Sequence, residues 1–350
     1  MVANTLKTGG NGLDIFYSIA FIFSVFFCVI LHELGHALTA KQFNYLTKDI
    51  ILLPVGGMAR MEELPENPKQ ELWIAAVGPL VNISIAFILY LFIYAFDQLP
   101  TPQDLIFHSG NAFLFNLFIA NISLAIFNLI PAFPMDGGRI LRAILSFNNS
   151  RVKATITAAR IGQIISIIFF FAGLFFTPFL MVVGIVIFIM AQTEADDVKS
   201  TSILQDYKVK DIIMHKFHQL EASDTISDAV KLLLDVQATD FIVTKNELVV
   251  GTLNRNGIIK VLSEKGKETQ IHLVMNPITT KLSLEQPLDQ LFKKRNADNS
   301  HIIPVIDNEK LIGIVDVNNI LELIMIREAS NDNYSSLFSL NNKKDKTVFV

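Results

Sequence analysis

The sequence is nearly without cysteine. Cys28 is the single one, so no intrachain disulfide can form, and its place inside an apolar run fits a bacterial inner membrane and a reducing cytosol. Charge is scarce as well. Asp, Glu, Lys and Arg make up 18% of the chain and the net charge is -4, a balance that argues against a nucleic-acid partner. No cleavable leader is expected either: residues 1–13 are polar with one lysine, and the apolar run that follows lacks a small-residue cleavage site. That run is therefore expected to be retained.

What the sequence has instead is hydrophobic length. Apolar residues make up 51% of it, and Phe alone supplies 28. They are concentrated in residues 14–193, whereas residues 194–350 have the composition of an ordinary soluble protein. Five apolar segments are long enough to consider as membrane spans: 15–31 (continuing as helix to about Lys41), 72–96, 112–130, 161–176 and 178–192. The last two are short and meet at Thr177-Pro178, so one bent hairpin is the alternative.

Loop charge sets the expected orientation. The connection 41–70 holds Lys41, Lys48, Arg60 and Lys69, and the connection 131–160 holds Arg139, Arg142, Arg151, Lys153 and Arg160. The connection 97–110 and the Thr177-Pro178 turn hold no Lys or Arg. Positive loops stay in the cytoplasm, so both basic connections and everything after the last span are expected on that side.

Residues 194–206 read as a polar linker. A weak internal repeat follows, with a period of about 62 residues. "VKDIIMHKFHQLEASDTISDAVKLL" resembles "IHLVMNPITTKLSLEQPLDQLFKK", and "ELVVGTLNRNGIIKVL" resembles "EKLIGIVDVNNILELI". Each half reads as a short strand, a helix, two strands meeting near a Gly, and a helix. The tail 328–350, rich in Asn, Ser and Lys, is expected to be disordered.

The first span ends in "HELGH". His32 and His36 are four apart, so on a helix they share one face, a spacing that suits two nitrogens on one Zn²⁺. Glu33 falls beside the metal rather than on it, where it can accept a proton from water. Gly35 is expected to leave room there for substrate backbone. H-E-x-x-H also arises by chance in soluble helices, where a paired histidine face is structural. At the end of a membrane span, ionisable groups are costly and function is the default reading. The best third ligand is Asp136 in "NLIPAFPMDGGRIL". Pro131 and Pro134 force irregular backbone before it, tolerable at membrane depth only inside protein or beside water. Gly137 and Gly138 are expected to pack against the first helix. The alternative role for Asp136 is an N-cap carboxylate.

These residues carry a resemblance. "HELGH" (32–36), "LLPVGGMARM" (52–61), "GPLVN" (78–82) and "NLIPAFPMDGGRIL" (128–141) are similar to the motifs of the site-2 proteases, intramembrane zinc metalloproteases, in the branch with C-terminal CBS domains. The resemblance implies that His32, His36 and Asp136 bind zinc and that Glu33 activates water. It also implies that Asn82 faces the site and helps hold an oxyanion or substrate backbone; an interhelical hydrogen bond is the equal alternative. Asn128 is a second such candidate. The segment "LLPVGGMARM", with Pro54, Gly56 and Gly57, is too short to span. It reads as a re-entrant hairpin or loop, whose strand edge can hold an unwound substrate by β-augmentation.

The expected fold is thus a multi-span α-helical membrane protein of about five spans with a re-entrant loop, followed by a cytosolic α/β tandem CBS module. The expected divisions are 1–193, the linker 194–206, CBS domains at 207–265 and 266–327, and the tail 328–350. The implied function is hydrolysis of a peptide bond in or near the span of a single-span membrane protein, in regulated intramembrane proteolysis. The CBS pair would serve dimerisation or regulation.

Two features depart from the family pattern. Members usually carry a further span ahead of the "HELGH" helix, and here only residues 1–14 precede the first apolar run. In CBS domains that bind adenine nucleotides, Ser or Thr and then Asp follow the turn glycine. Here Asn254 and Gly257 follow Gly251, and Asp316 and Asn319 follow Gly313, so nucleotide binding lacks its usual carboxylate. His108, His215, His218, His272 and His301 carry no metal expectation. A CBS-regulated transporter or a catalytically silent scaffold are the alternatives. Against the first, no inverted repeat relates the spans; against the second, Glu33 is intact.

Overall fold

The computed structural model describes residues 12–53, 56–61, 65, 67–96, 110–236, 239–278, 280–294, 302–307 and 310–337. The chain divides into two units, Met1–Val198 and Lys199–Val350.

The first unit is built on apolar helices. Helix α1 (Gly12–Gln42) leads into a two-stranded antiparallel hairpin, β1 (Thr47–Leu53) and β2 (Gly56–Met61). Helices α2 (Pro68–Ala95), α3 (Gly110–Asn128), α4 (Asp136–Ser146), α5 (Arg151–Phe175) and α6 (Pro178–Leu204) follow. Among the described residues four helices (α1, α2, α5 and α6) are long and apolar enough to cross a membrane, and Phe113–Asn128 in α3 is a shorter apolar helix. Five expected spans thus correspond to four long helices and one short one. The alternative of a single bent hairpin at 161–192 is replaced by two full-length helices. They approach so closely that a Cβ on Gly184 would lie 2.7 Å from the Ser166 carbonyl and 2.9 Å from the Phe170 nitrogen.

Helix α2 starts cleanly. Asn67 caps it by accepting from the Lys69 N–H at 3.0 Å, and Pro68 occupies the first turn, where its missing N–H costs nothing. It packs against α1, α3 and α4 and so sits at the centre of the unit. The segment expected to be re-entrant is the β1–β2 hairpin, with Leu53 opposite Gly56 and Leu52 opposite Gly57. Its tip, Pro54 and Val55, lies outside the described residues.

Three expectations from the sequence are corrected here. The connection 131–160 is mostly helix, and its Arg142 is fully buried; it is an interior group and does not count as a loop charge. The residues read as the start of a linker, 194–204, continue α6 to Leu204. Residues 328–337, expected to be disordered, belong to the last helix, which runs Val317–Leu337; 338–350 lie outside the described residues.

The second unit has two half-repeats. In the first, β3 (Gln219–Glu221) runs parallel to β4 (Asp240–Lys245), which pairs antiparallel with β5 (Leu248–Asn254). Helices α7 (Ile226–Val236) and α8 (Arg255–Glu264) flank this sheet. The second half has α9 (Leu288–Lys294), β7 (Ile302–Asp307), β8 (Lys310–Asp316) and α10 (Val317–Leu337). The register repeats as the sequence does. Val243 faces Gly251 and Val305 faces Gly313, each with an irregularity at the next residue. The leading segments are exchanged. Met214 pairs with Ile314 of the second half, while β6 (Asn276–Pro277) pairs with β5 of the first. Neither half completes its sheet alone, which is the physical reason for the tandem.

Candidate metal centre

The site lies where α1, α2 and α4 meet. One turn of α1 places His32 and His36 side by side, both buried. Helix α4 begins at Asp136, after a turn at Leu129–Met135 in which the Met135 N–H bonds back to the Ala132 carbonyl. A Cβ on Gly138 would lie 2.7 Å from the Ala132 carbonyl carbon and the Phe133 nitrogen, and Gly137 is as tight against the Leu129 and Ile130 carbonyls. These glycines therefore let the helix fold back on its own leading segment; packing against α1, the expected role, is not what requires them. Asp136 is not the N-cap either. The cap is Met135, with no side-chain bond, and the carboxylate turns instead to the histidines.

His32 Nε2 lies 3.1 Å from Asp136 Oδ2, His36 Nε2 lies 3.2 Å from it, and the two Nε2 atoms are 3.1 Å apart. His36 Nδ1 lies 2.6 Å from the Ile74 carbonyl. A carbonyl only accepts, so Nδ1 carries the hydrogen and the Nε2 lone pair of neutral His36 points into the triangle. A tetrahedral zinc with bonds of about 2.0–2.1 Å separates its donors by about 3.3 Å. The observed edges match this, and the chemistry of the donor set, two imidazoles and a carboxylate, suits zinc with one position left open. Among the described residues this is the one group of three such side chains able to hold a metal ion.

Glu33 is buried next to His32. Asn82, on α2, is 1% exposed, and its Oδ1 has no hydrogen-bond partner among the described residues; the interhelical bond considered for it is not made through that atom. Asn128 is the last residue of α3 and is half-buried. The buried amide of that helix is Asn121, whose Nδ2 donates to the Leu117 carbonyl at 2.9 Å and contacts Cys28 Sγ at 3.4 Å. Gly56 and Gly57 open β2, which packs against α1. His215 and His218, which carry no metal expectation, are exposed.

Two glycines have roles the sequence did not disclose. A Cβ on Gly78 would lie 2.7 Å from His32 Nε2 and closer still to His36, so only glycine lets α2 pass against the imidazoles. A Cβ on Gly35 would lie 2.9 Å from Val81 and 3.2 Å from Val77. Gly35 thus serves contact with α2, in place of the substrate room expected of it. The signal for Gly78 was its position in "GPLVN", four residues before Asn82.

Comparison with known proteins bears on this geometry. The model of peptidase family M50 matches residues 20–110 and 98–172, and that of the CBS domain matches 209–264 and 274–326. A zinc metalloprotease of Methanocaldococcus jannaschii is 32% identical over 321 residues, 91% of this chain and 88% of that protein. The chain belongs to peptidase family M50. Stage IV sporulation protein FB of Bacillus subtilis is 33% identical over 119 residues, 34% of this chain and 38% of that protein. The solved site-2 protease of M. jannaschii is 35% identical, covers 52% of this chain and 87% of that one, and superposes with a TM-score of 0.40. This M50 chain is a zinc metalloprotease with membrane-spanning helices and a CBS module, and His32, His36 and Asp136 form its candidate zinc site.

Proposed function

We propose that this peptidase cuts a single-span membrane protein within or near its apolar segment, with His32, His36 and Asp136 as zinc ligands and Glu33 as the proton carrier. The observation that carries the reading is a buried triangle of two imidazoles from an apolar, span-length helix and a carboxylate from the start of α4. Zinc, when bound, supplies Lewis acidity and makes hydroxide available near neutral pH. Glu33, one residue from His32, takes the proton of the attacking water and returns it to the leaving amine. Asn82 offers its buried amide to the developing oxyanion or to substrate backbone. Each hairpin strand has one edge unpaired among the described residues, and such an edge holds an unwound span segment by main-chain hydrogen bonds.

In the same reading both basic connections and the CBS pair are cytoplasmic, in a bacterial cell membrane, and the pair dimerises the enzyme or regulates it. Asn254 Oδ1 accepts from the Gly257 N–H and Asp316 Oδ1 from the Asn318 N–H. Asn254 and Asp316 thus serve as helix caps, and Gly257 and Asn319 stand where the nucleotide-binding carboxylate is usual, which favours dimerisation over nucleotide sensing.

The test is Glu33→Gln in the full chain with a co-expressed single-span substrate. Zinc content is expected to stay and processing to stop; unchanged processing would point to transport or scaffolding. Gly57→Val is expected to depress cleavage with zinc content intact. Loss of zinc there would make the hairpin structural.

A further inference from the structure

An ionic cluster that the reaction does not use adjoins the metal ligands. Arg142 lies on α4, six residues after Asp136, and is 0% exposed. Its Nε donates to Glu71 Oε1 of α2 at 2.7 Å, its Nη1 donates to Glu194 of α6, and its guanidinium carbon stands 5.1 Å from the Phe133 ring centroid. One cation therefore ties three helices and the segment that leads into α4.

The placement of Glu71 gives this cluster its meaning. Glu71, Ile74 and Gly78 fall at i, i+3 and i+7, one face of α2. Along that face α2 meets Arg142, then His36 through the Ile74 carbonyl, then both imidazoles at Gly78. Six residues of helix advance about 9 Å and turn about 240°, so Asp136 and Arg142 hold α4 at two separated points on different faces. With the second point gone, packing on α2 and α5 alone sets the pivot and slide of α4, and with them the register of the carboxylate with the histidines. Stability alone does not call for such a cluster, because a buried ionic triad is commonly replaced by apolar side chains without loss. An arginine fork, unlike an ammonium, fixes the directions of its carboxylate partners.

We propose that Arg142 is a positioning residue of the metal centre: by joining α4 to Glu71 and Glu194 it sets where the Asp136 carboxylate stands relative to His32 and His36. The inference rests on the reading of those three residues as zinc ligands.

The test measures two quantities on the full chain in detergent, zinc affinity by chelator competition and the unfolding temperature of the metal-free protein. Arg142→Met is expected to weaken zinc binding by about 10- to 100-fold, the usual effect of losing a partner that orients a ligand. Arg142→Lys is expected to recover part of that loss, and Glu71→Gln to weaken binding in the same direction. Wild-type zinc affinity in Arg142→Met with a lowered metal-free unfolding temperature would make the cluster a structural brace and overturn the proposal. Should Arg142→Met not fold, Arg142→Lys and Glu71→Gln decide: weakened binding at an unchanged metal-free unfolding temperature supports it, and wild-type affinity in both overturns it. A wild-type chain without stoichiometric zinc, or an Asp136→Ala chain that keeps it, would overturn the ligand reading and this proposal together. Wild-type binding with unaffected Arg142 and Glu71 variants would overturn this proposal alone.

Discussion

In the first unit many large apolar side chains face outward and the fully buried residues are mostly small; in the second the fully buried residues are mostly large. Phe23, Phe87, Ile168 and Phe175 stand exposed on the apolar helices, while Ala86, Ala143, Ala158 and Ala191 are fully buried. In the second unit Phe241, Ile242, Leu253 and Ile258 are fully buried. Lipid removes the hydrophobic drive between helices, so close backbone approach takes a larger share in holding them. The buried polar groups follow the same division. Among the described residues the second unit buries only Thr244 and Thr252, whereas the first buries the metal ligands, Glu33, Glu71, Asn82, Asn121 and Arg142. The interior of the first unit is thus a polar site packed largely in small residues with a few large apolar ones such as Phe133 and Ile187, and that of the second is a hydrophobic core.

This contrast is open to direct attack. The largest effect is expected from Asp136→Ala, which should abolish proteolysis and weaken zinc by more than the roughly 100-fold that bounds the loss of an orienting partner; metal analysis after dialysis checks it, and the second unit should stay folded. Glu33→Gln should lower turnover by about 10² to 10⁴ with zinc retained, read by a cleavage assay beside metal content. Phe241→Ala should cost the second unit about 3–5 kcal/mol and leave zinc binding intact, as denaturant unfolding would report. A lysine at outward-facing Ile168 should cost about 2.5–3.5 kcal/mol if that position lies near the bilayer centre, while a lysine at exposed Leu234 should change stability by about 0.5 kcal/mol or less; folded yield in membranes compares the two.

The smallest effect is a pH dependence in the second unit. The Thr225 hydroxyl, with Lys231 adding its charge, holds the Asp228 carboxyl at about 2, below its ordinary value of 3.8. A depressed folded value means the contribution is present above pH 3.8 and is lost as pH falls toward 2. Thr225→Ala should flatten the acid limb of unfolding in that window.

The candidate metal centre was legible in the sequence because each of its parts is local. His32 and His36 are one helical turn apart, and Asp136 sits in a proline- and glycine-rich stretch. The repeat of the second unit was legible for the same reason, since a period in sequence became a repeat in strand register. Arg142 was not legible. It looked like one more basic group in a loop, because its partners lie 71 and 52 residues away. Glu71 lies just before the apolar run that begins at Leu72, where a carboxylate draws no notice. Gly78 was hidden likewise, since only the crossing of α1 and α2 shows what a side chain there would strike.

The central claim is that His32, His36 and Asp136 hold one metal ion. Zinc-edge X-ray absorption on the purified full chain tests it most directly. The expected spectrum has imidazole and oxygen donors at about 2.0–2.1 Å and one zinc per chain, with the metal lost in Asp136→Ala. A sulfur donor at about 2.3 Å, which only Cys28 or a methionine can supply, or zinc undiminished in Asp136→Ala, would contradict it.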